Sequence, residues 1–246
     1  SDGSFLRLNP LMSIITNIDA DHLENYGNDF ARVQAAFAEF LQRLPFYGLA
    51  VLCIDDPEVA ALAARTPRHV MSYGMSPQAD VRAENVVQEG SRMRFTLRLP
   101  QGTSQEVVLA LPGKHNVLNA LAAAAVGWQL GVAPDAIARA LESFAGVGRR
   151  FNDLGEVTTA SGAKVRIIDD YGHHPSELEA VFAAARGGWA DKRLVVAFQP
   201  HRYSRTRDQF DKFAAVLSSV DALVLSEVYP AGEEPIAGAD SHALAR

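Results

Sequence analysis

The chain has 246 residues, enough for one large domain or two ordinary ones, and its 48% hydrophobic and 21% charged composition is typical of a globular protein with an apolar core. The formal net charge of -6 disfavours nucleic acid as the main partner, because phosphate backbones attract clustered Lys and Arg. No stretch approaches the roughly 18 apolar residues that span a bilayer, so no membrane insertion is expected. A single cysteine, Cys53, excludes an internal disulfide framework and fits a reducing compartment.

Helices and strands alternate through the first half of the chain. The strands are short apolar runs, whereas the helices carry apolar residues three or four positions apart. In chain order the predicted elements are a strand at 11–16, a helix at 30–44, a strand at 48–54, a short helix from Pro57, antiparallel strands between 68 and 111, and helices at 118–130 and 134–144. The antiparallel prediction depends on alternating runs broken by turns at Glu89-Gly90 and Gln101-Gly102.

A strand–helix–strand order follows in the second half. Its predicted elements are strands at 165–168, 194–198 and 222–225 and helices at 175–186 and 207–217. Thr206 and Gln209 have the spacing of a capping box, which predicts the start of the last helix. The alternation predicts a parallel, doubly wound sheet. Two glycines and two arginines within 145–150 precede it, so we place a domain boundary there, giving domains 1–147 and 148–246.

Polar loops follow all three strands of the second domain. They are rich in His, Arg, Tyr and acidic residues and span 169–175, 199–207 and 226–233. Because ligands of a doubly wound sheet bind beyond the carboxyl ends of its strands, we expect these loops to meet at one edge. Arg202 and Arg205 can hold a carboxylate or phosphate, beside a helix N-terminus that also favours anions. Asp170 and His173 have the chemistry for proton transfer.

Two of these motifs leave alternatives open. The loop after the first strand of the second domain can instead be the metal site of a hydrolase. Its ligands would then be Asp169, Asp170, His173 and His174. In the first domain, Asn116 and Asn119 share a face of a helical turn, where two amides can read an adenine edge or meet a phosphate. Taken alone, Asn116 is better explained as the cap of that helix.

Five motifs, in order, resemble those of the Mur ligases. They are Asn-Ile-Asp-Ala-Asp-His (17–22), Gly-Lys-His-Asn-Val-Leu-Asn (113–119), Gly-Arg-Arg-Phe (148–151), Asp-Asp-Tyr-Gly-His-His-Pro (169–175) and Gln-Pro-His-Arg-Tyr-Ser-Arg-Thr (199–206). They extend across nearly the whole chain, which makes the resemblance specific. The last two, together with Glu-Val-Tyr-Pro-Ala-Gly-Glu (227–233), are similar to the branch of the family that adds L-alanine.

This resemblance implies an α/β chain from a three-domain enzyme, with a mixed-sheet, ATP-binding central domain followed by a Rossmann-like, parallel-sheet C-terminal domain. In such a bacterial, cytoplasmic enzyme, ATP phosphorylates the lactyl carboxylate of UDP-N-acetylmuramate to an acyl phosphate, leaving ADP. The amine of L-alanine attacks this acyl phosphate, and the tetrahedral intermediate loses phosphate to leave an amide. The cofactors implied are ATP and Mg²⁺, and a homodimer of the full-length enzyme is left open. Neither the Gly-rich phosphate loop nor the UDP-binding domain is among these residues, so the chain alone is expected to be truncated and inactive.

The resemblance also assigns roles by position. His115, Asn116, Asn119 and Arg150 match ATP-contacting positions; Tyr171, His201, Arg202 and Arg205 match positions around L-alanine; Asp170 and His173 match catalytic positions; and His22 matches a magnesium ligand. Imidazole is an unusual ligand for Mg²⁺, so Mn²⁺ is expected to serve there as well. Arginines suit a carboxylate, and a histidine near an aspartate suits an amine that must lose protons.

Three rival functions stay beside this one. The nearest is the ligase of the same family that recycles a tripeptide onto the same sugar nucleotide, whose arginine loop differs from that at 199–205. The second is the metal-dependent hydrolase described above. The third is a nucleotide-binding module without catalysis.

Overall fold

The computed structural model of the protein describes residues 3–20 and 23–246. The chain divides into two compact units. The first comprises the described residues up to Val87, with Met93–Ala110 and His115–Phe144, and the second comprises Gln88–Arg92, Leu111–Lys114 and Ala145–Arg246. The division into domains 1–147 and 148–246 stays a prediction.

A six-stranded sheet in the order β1-β2-β3-β4-β5-β6 forms the base of the first unit. Its strands are β1 (Met12–Ile15), β2 (Leu49–Cys53), β3 (His69–Gly74), β4 (Val81–Glu89), β5 (Arg92–Arg98) and β6 (Ser104–Leu109). β1, β2 and β3 are parallel neighbours, while β5 and β6 are antiparallel with Met93 opposite Leu109. All of β2 is buried, as expected for a strand covered on both faces. The predicted mixed sheet is confirmed.

The prediction of antiparallel strands from 68 to 111 is wrong for the start of that range. β3 pairs in parallel with β2, and its end pairs in parallel with the start of β4, where Tyr73 lies opposite Val81. The reason is the connection, because helix α2 (Pro57–Ala63) separates β2 from β3 and a helical crossover returns the chain in the same direction. The alternating pattern is correct for β5 and β6. It also fits β4 and β5, which are sheet neighbours joined by the two-residue turn Gly90-Ser91, a connection that only an antiparallel pair allows.

Three further helices complete the first unit: α1 (Phe30–Gln42), α3 (Lys114–Gln129) and α4 (Pro134–Ser143). The Asp29 carboxylate caps α1 by accepting a 2.9 Å hydrogen bond from the Ala31 N–H, and Asp56 caps α2 by accepting one of 2.9 Å from Val59. Side chains of β1, β2, α1 and α2 form one apolar core, which includes Ile15, Val33, Leu41, Leu52 and Val59. Among residues 3–20 and 23–246, no helix has the length and apolar character needed to cross a membrane.

The second unit contains two small sheets and four helices. Its elements are β7 (Asn152–Thr158), β8 (Lys164–Asp169), α5 (Pro175–Gly188), β9 (Val195–Phe198), α6 (Tyr203–Asp208), α7 (Phe210–Leu217), β10 (Ala222–Leu225) and α8 (Ser241–Leu244). β9 and β10 are parallel, with Val195 opposite Ala222. Their helices pack around Phe213, which is fully buried beside Phe198 and Leu178. This packing fixes the ends of β9 and β10, where the polar loops begin.

Two details of this unit differ from the sequence predictions. β8 pairs with β7 in an antiparallel two-stranded sheet, whereas β9 and β10 form a separate parallel pair. The helix expected at 207 begins earlier, at Tyr203, and α7 follows it. Thr206 therefore caps neither helix; its hydroxyl is inside α6 and donates to the Arg202 carbonyl at 2.9 Å. Its complete burial explains this, since a hydroxyl without contact to water needs a nearby acceptor.

Candidate active site

The loops that follow β8, β9 and β10 lie together in the second unit. The Arg202 N–H donates to the Tyr229 carbonyl, and the Tyr229 N–H donates to the Pro200 carbonyl, both at 2.8 Å. These bonds join the loops after β9 and β10. The loop after β8 reaches them through His173, whose ring centroid lies 5.7 Å from that of His201. The structure thus brings together residues that are far apart in the sequence.

Four rings form a continuous row across these loops. The Tyr171 and His173 centroids are 5.2 Å apart in an edge-to-face arrangement. On the other side, His201 stacks on Tyr229 with centroids 5.2 Å apart and an interplanar angle of 27°. The Arg149 guanidinium carbon lies 4.9 Å from the Tyr171 centroid, a cation–π geometry. About half of each tyrosine is exposed, so the row has a surface that a small ligand can reach.

His201 has a lowered pKa within this row. Burial disfavours its charged form first, and the positive Arg205, together with His173 and Arg202, lowers the pKa further, against a smaller opposing effect of Glu233. The imidazole of His201 is therefore neutral at neutral pH. A neutral ring can donate or accept one hydrogen bond at each nitrogen according to its tautomer.

Arg202 and Arg205 have different surroundings although they were predicted as a pair. The Arg202 side chain is 46% exposed, and its Nη1 lies 3.4 Å from the Glu233 carboxylate. Arg205 is buried, with 9% of its surface exposed, and its Nη1 lies 3.4 Å from both the Nδ1 and the carbonyl oxygen of His201. Arg202 can thus contact a ligand directly, whereas the buried Arg205 contacts the His201 ring and fixes its position.

The predicted helix N-terminus beside these arginines is already engaged by protein. The Ser204 N–H at the start of α6 donates to Glu233 at 2.9 Å, and the Ser204 hydroxyl donates to the same carboxylate at 2.7 Å. A side-chain carboxylate therefore occupies this helix start, and the expectation that the start favours a ligand anion stays a prediction.

Asp170 braces the loop after β8. One carboxylate oxygen accepts a 2.7 Å hydrogen bond from the Phe151 N–H, and the other accepts one of 2.6 Å from the Gly172 N–H. Phe151 is buried and has a φ of 48°, a left-handed conformation that is uncommon for a bulky residue. Asp170 thus ties the start of β7 to the loop that carries Tyr171 and His173.

The contacts of His173 indicate its tautomer. Nδ1 lies 3.0 Å from the Tyr171 carbonyl oxygen and 3.6 Å from the Glu177 carboxylate, and both groups can only accept. Nδ1 therefore carries the proton, and in the neutral ring Nε2 has the lone pair. Glu177 also accepts from the His173 N–H at 2.9 Å, so this carboxylate fixes both the backbone and the ring of His173.

The residues predicted to contact ATP belong to different units. His115 and Asn116 are half-buried in the first turn of α3, and Asn119 is exposed in its second turn, all in the first unit. Because α3 begins at Lys114, Asn116 is inside the helix, and its interpretation as the N-cap is wrong. Arg150 is in the second unit, where its Nη1 lies 3.3 Å from the Glu177 carboxylate. His22, the predicted magnesium ligand, lies outside the described residues.

The metal-dependent hydrolase is not favoured. Within residues 3–20 and 23–246, no group of three or more His, Cys, Asp or Glu side chains is placed to hold a metal ion. Asp169 lies 3.6 Å from the Arg149 guanidinium, and both oxygens of Asp170 accept backbone hydrogen bonds. Each carboxylate of the proposed metal cluster is therefore engaged by other protein groups.

Two carboxylates were not predicted as site residues. Glu177 contacts His173 and Arg150, and Glu233 contacts Ser204 and Arg202. A sequence signal existed for Glu177, since it stands three residues after His174, and the structure shows a capping box between these two residues. Glu233 belongs to a motif of the third loop, but nothing in its local sequence indicates a partner 29 positions away.

Comparison with known proteins gives matches along both units. Residues 2–127 match the Mur ligase middle domain, and residues 149–246 match a domain described as "Mur ligase, glutamate ligase domain". The UDP-N-acetylmuramate–L-alanine ligase of Stenotrophomonas maltophilia (strain K279a) is 99% identical over all 246 residues, which make up 52% of that protein. The ligase of the same name from Xanthomonas campestris pv. campestris (strain B100) is 88% identical over the same residues, again 52% of its length.

A solved structure shares the same fold. The crystal structure of the UDP-N-acetylmuramate–alanine ligase from Thermotoga maritima is similar with a TM-score of 0.73 and 30% identity, and the match covers 93% of this chain and 49% of that one. The chain therefore spans about half the length of the curated relatives it matches.

Proposed function

Since the chain belongs to the Mur ligase family, we propose that it supplies the ATP-binding and amino-acid-binding parts of a ligase that joins L-alanine to the lactyl carboxylate of UDP-N-acetylmuramate. The observation that carries this proposal is the 99% identity, over all 246 residues, to a ligase of that name. The reaction would be a step of peptidoglycan synthesis in the bacterial cytoplasm. A homodimer stays a prediction.

The second unit has the chemistry for binding an amino acid. Arg202 offers a half-exposed guanidinium, which binds a carboxylate through charge-assisted hydrogen bonds. Tyr171 and His201 belong to the ring row on the neighbouring loops. Arg205 keeps His201 in place, with its Nη1 3.4 Å from the His201 Nδ1.

His173 is suited to accept a proton from the amine. Its Nδ1–H points to the Tyr171 carbonyl and the Glu177 carboxylate, so Nε2 is the basic nitrogen. An amine must lose protons as it attacks an acyl group. Asp170 acts beside it by fixing the loop, through its bonds to Phe151 and Gly172.

The start of α3 fits a nucleotide. Gly113 precedes the helix with a φ of 92°, and the positive end of the helix dipole at this N-terminus favours phosphate. Asn116 adds an amide in the first turn and Asn119 adds one in the next; Arg150 is proposed as an ATP-contacting residue on the resemblance alone. When bound, ATP supplies the phosphoryl group that activates the carboxylate. Mg²⁺, or Mn²⁺, is proposed to neutralise its phosphates, with His22 as one ligand.

The tripeptide-recycling ligase is not favoured, since relatives 99% and 88% identical are named as L-alanine ligases, and one assay separates the two activities. The full-length Stenotrophomonas maltophilia relative, 99% identical over this chain, is incubated with ATP, Mg²⁺ and UDP-N-acetylmuramate, and phosphate release is measured with either L-alanine or the tripeptide. We expect release that depends on L-alanine. Release with the tripeptide and none with L-alanine would reverse the assignment.

A further inference from the structure

We propose that Glu233 is a positioning residue for amino-acid binding, because it holds Arg202, at the start of α6, so that the Arg202 guanidinium can receive a substrate carboxylate. The proposal rests on the proposed function, since it assumes that Arg202 binds the carboxylate of L-alanine. It adds a residue from the third loop, to which the resemblance assigns no role.

The contacts of Glu233 connect two loops. Its carboxylate accepts from the Ser204 N–H at 2.9 Å and from the Ser204 hydroxyl at 2.7 Å, and it lies 3.4 Å from Nη1 of Arg202. Only 23% of its side chain is exposed. The adjacent Glu234 is exposed. One of two neighbouring glutamates is therefore built into the loop arrangement, and the other faces solvent.

The start of α6 needs an acceptor that its own sequence does not provide. Arg202 occupies the N-cap position and makes no side-chain cap hydrogen bond, since a guanidinium has no acceptor. Arg202 also has a φ of 71°, a conformation that is rare for such a residue. Glu233 supplies from another loop the oxygen that a Ser or Asp would supply at the N-cap. The backbone around Arg202 is thus fixed at two points: the Arg202 N–H donates to the Tyr229 carbonyl, and the Ser204 N–H donates to Glu233.

The Glu233 carboxylate orients the Arg202 guanidinium but leaves some of its N–H donors available. A guanidinium has five N–H donors, and the contact with Glu233 is made at Nη1. The remaining donors can meet a second carboxylate on the exposed side. A side chain already held in one rotamer loses less conformational entropy on binding, so Glu233 preorganises Arg202 for its ligand.

Glu233 keeps its charge in this place. Burial alone would raise the pKa of Glu233, but the Ser204 N–H and hydroxyl and the positive Arg202 lower it overall. The third loop also bends back to reach α6, because Ala231 and Gly232 both have left-handed backbone conformations, with φ of 50° and 86°. This turn places Glu233 against Ser204.

The test uses the full-length Stenotrophomonas maltophilia relative with the substitution Glu233→Gln. The amide oxygen of Gln can still accept from Ser204, but the negative charge that holds Arg202 is lost. We expect the KM for L-alanine to rise about tenfold, as for the loss of one charge-assisted contact, while the KM for ATP stays within about twofold. Glu234→Gln is the matched control, because it makes the same charge change on an exposed neighbour, and it should leave all constants unchanged.

Other variants separate failure of this proposal from failure of the proposed function. If Arg202→Ala raises the KM for L-alanine and Glu233→Gln does not, the positioning role is overturned and the function stands. If neither variant changes the KM for L-alanine, Arg202 does not bind the L-alanine carboxylate, and the positioning role of Glu233 is overturned with it. If Glu233→Gln raises the KM values for ATP and L-alanine alike, Glu233 has only a structural role. Should that variant not fold, Glu233→Asp decides: it keeps the charge but withdraws it by one methylene, and an unchanged L-alanine KM would count against the proposal.

Discussion

Arg202 and Arg205 are three positions apart in the sequence but differ in what they touch. Arg202 is half-exposed and paired with Glu233, whereas Arg205 is buried against His201. The nearby Asp208 carboxylate lies 2.7 Å from Arg207, the next arginine of the same helix. The two arginines should therefore respond differently to substitution.

Arg202→Ala, made in the full-length relative, should raise the KM for L-alanine roughly ten- to a hundredfold, since a hydrogen bond to a charged group contributes about 1.5–3 kcal/mol. Arg202→Lys should restore little of this binding, because the single ammonium group of Lys cannot make the two parallel hydrogen bonds that a guanidinium makes to a carboxylate. Arg205→Ala should raise the same KM and also lower the free energy of unfolding, since Arg205 is buried. The control is Arg207→Ala, an exposed arginine of the same helix. The measurement is kinetics with L-alanine varied at saturating ATP. An unchanged KM for L-alanine and an unchanged kcat in Arg202→Ala would contradict the proposal that Arg202 binds the carboxylate of L-alanine.

His201 should make the stability of the fold depend on pH. Its pKa in the folded chain is lowered by burial and by Arg205, so the unfolded chain, with an ordinary pKa of about 6.5, binds the proton more readily. The stabilisation from the neutral ring is thus fully present above about pH 6.5 and is lost as the pH falls through the lower folded pKa.

Urea unfolding of the chain at several pH values checks this expectation. His201→Gln should lose less stability than the unsubstituted chain between about pH 7 and pH 5, where histidines titrate. His242→Gln replaces an exposed histidine and is the matched control for the loss of one imidazole. Parallel stability curves for His201→Gln and the unsubstituted chain would rule out a contribution from His201.

The ribbon of β7 and β8 depends on hydrogen bonds more than on burial. Every residue of β7 except Gly155 is exposed. The ribbon is fastened at one end by Asp170, which accepts from the Phe151 N–H just before β7. An element with so little apolar contact is sensitive to the loss of one such acceptor.

Asp170→Ala should therefore lower the free energy of unfolding by about 1–3 kcal/mol, because the buried Phe151 N–H would be left without an acceptor. Asp170→Asn keeps one carbonyl oxygen and should cost less. The neighbouring Asp169→Ala removes only an exposed ion pair with Arg149, worth less than about 1 kcal/mol. Urea unfolding of the three variants gives the comparison; equal losses for positions 169 and 170 would show that Asp170 is not a brace.

The elements that could be predicted from the sequence are those held by burial. β2 was predicted to within a residue at each end because all of its apolar run is buried, and β9 because its run ends in the core residue Phe198. β7 was missed because an exposed ribbon of sequence Asn-Asp-Leu-Gly-Glu-Val-Thr has no apolar period. The start of α6 was misplaced because a capping box near Thr206 fits the local sequence, while Glu233, from a distant loop, provides the acceptor.

The candidate site was predictable in composition but not in connectivity. Loops rich in His, Arg and Tyr after consecutive strands indicated a shared edge, and the contacts among His173, His201 and Tyr229 agree with that expectation. The supporting carboxylates could not be predicted in the same way. Their partners depend on how the loops fold back, and nothing in the local sequence specifies this for Glu233. Which of these residues take part in catalysis stays a prediction.

For the molecule as a whole, the two units carry different parts of the proposed chemistry. The first unit holds the candidate nucleotide residues His115, Asn116 and Asn119, and the second holds Arg150 and the candidate amino-acid residues. The chain spans about half the length of its curated relatives. Its sequence contains no Gly-rich phosphate loop with a lysine, the element that usually cradles the phosphates transferred from ATP.

The isolated chain should therefore make no amide bond, because phosphoryl transfer depends on positioning and on neutralising the charge of the phosphates, and this sequence lacks the loop that does both. The measurement is phosphate release and product mass with ATP, Mg²⁺, UDP-N-acetylmuramate and L-alanine. The full-length Stenotrophomonas maltophilia relative serves as the positive control. Circular dichroism of the isolated chain must show its helices and strands, so that inactivity is not confused with unfolding. Turnover that requires both ATP and L-alanine would mean that residues within this chain replace the phosphate loop, and Lys114, at the start of α3, would be the first to substitute.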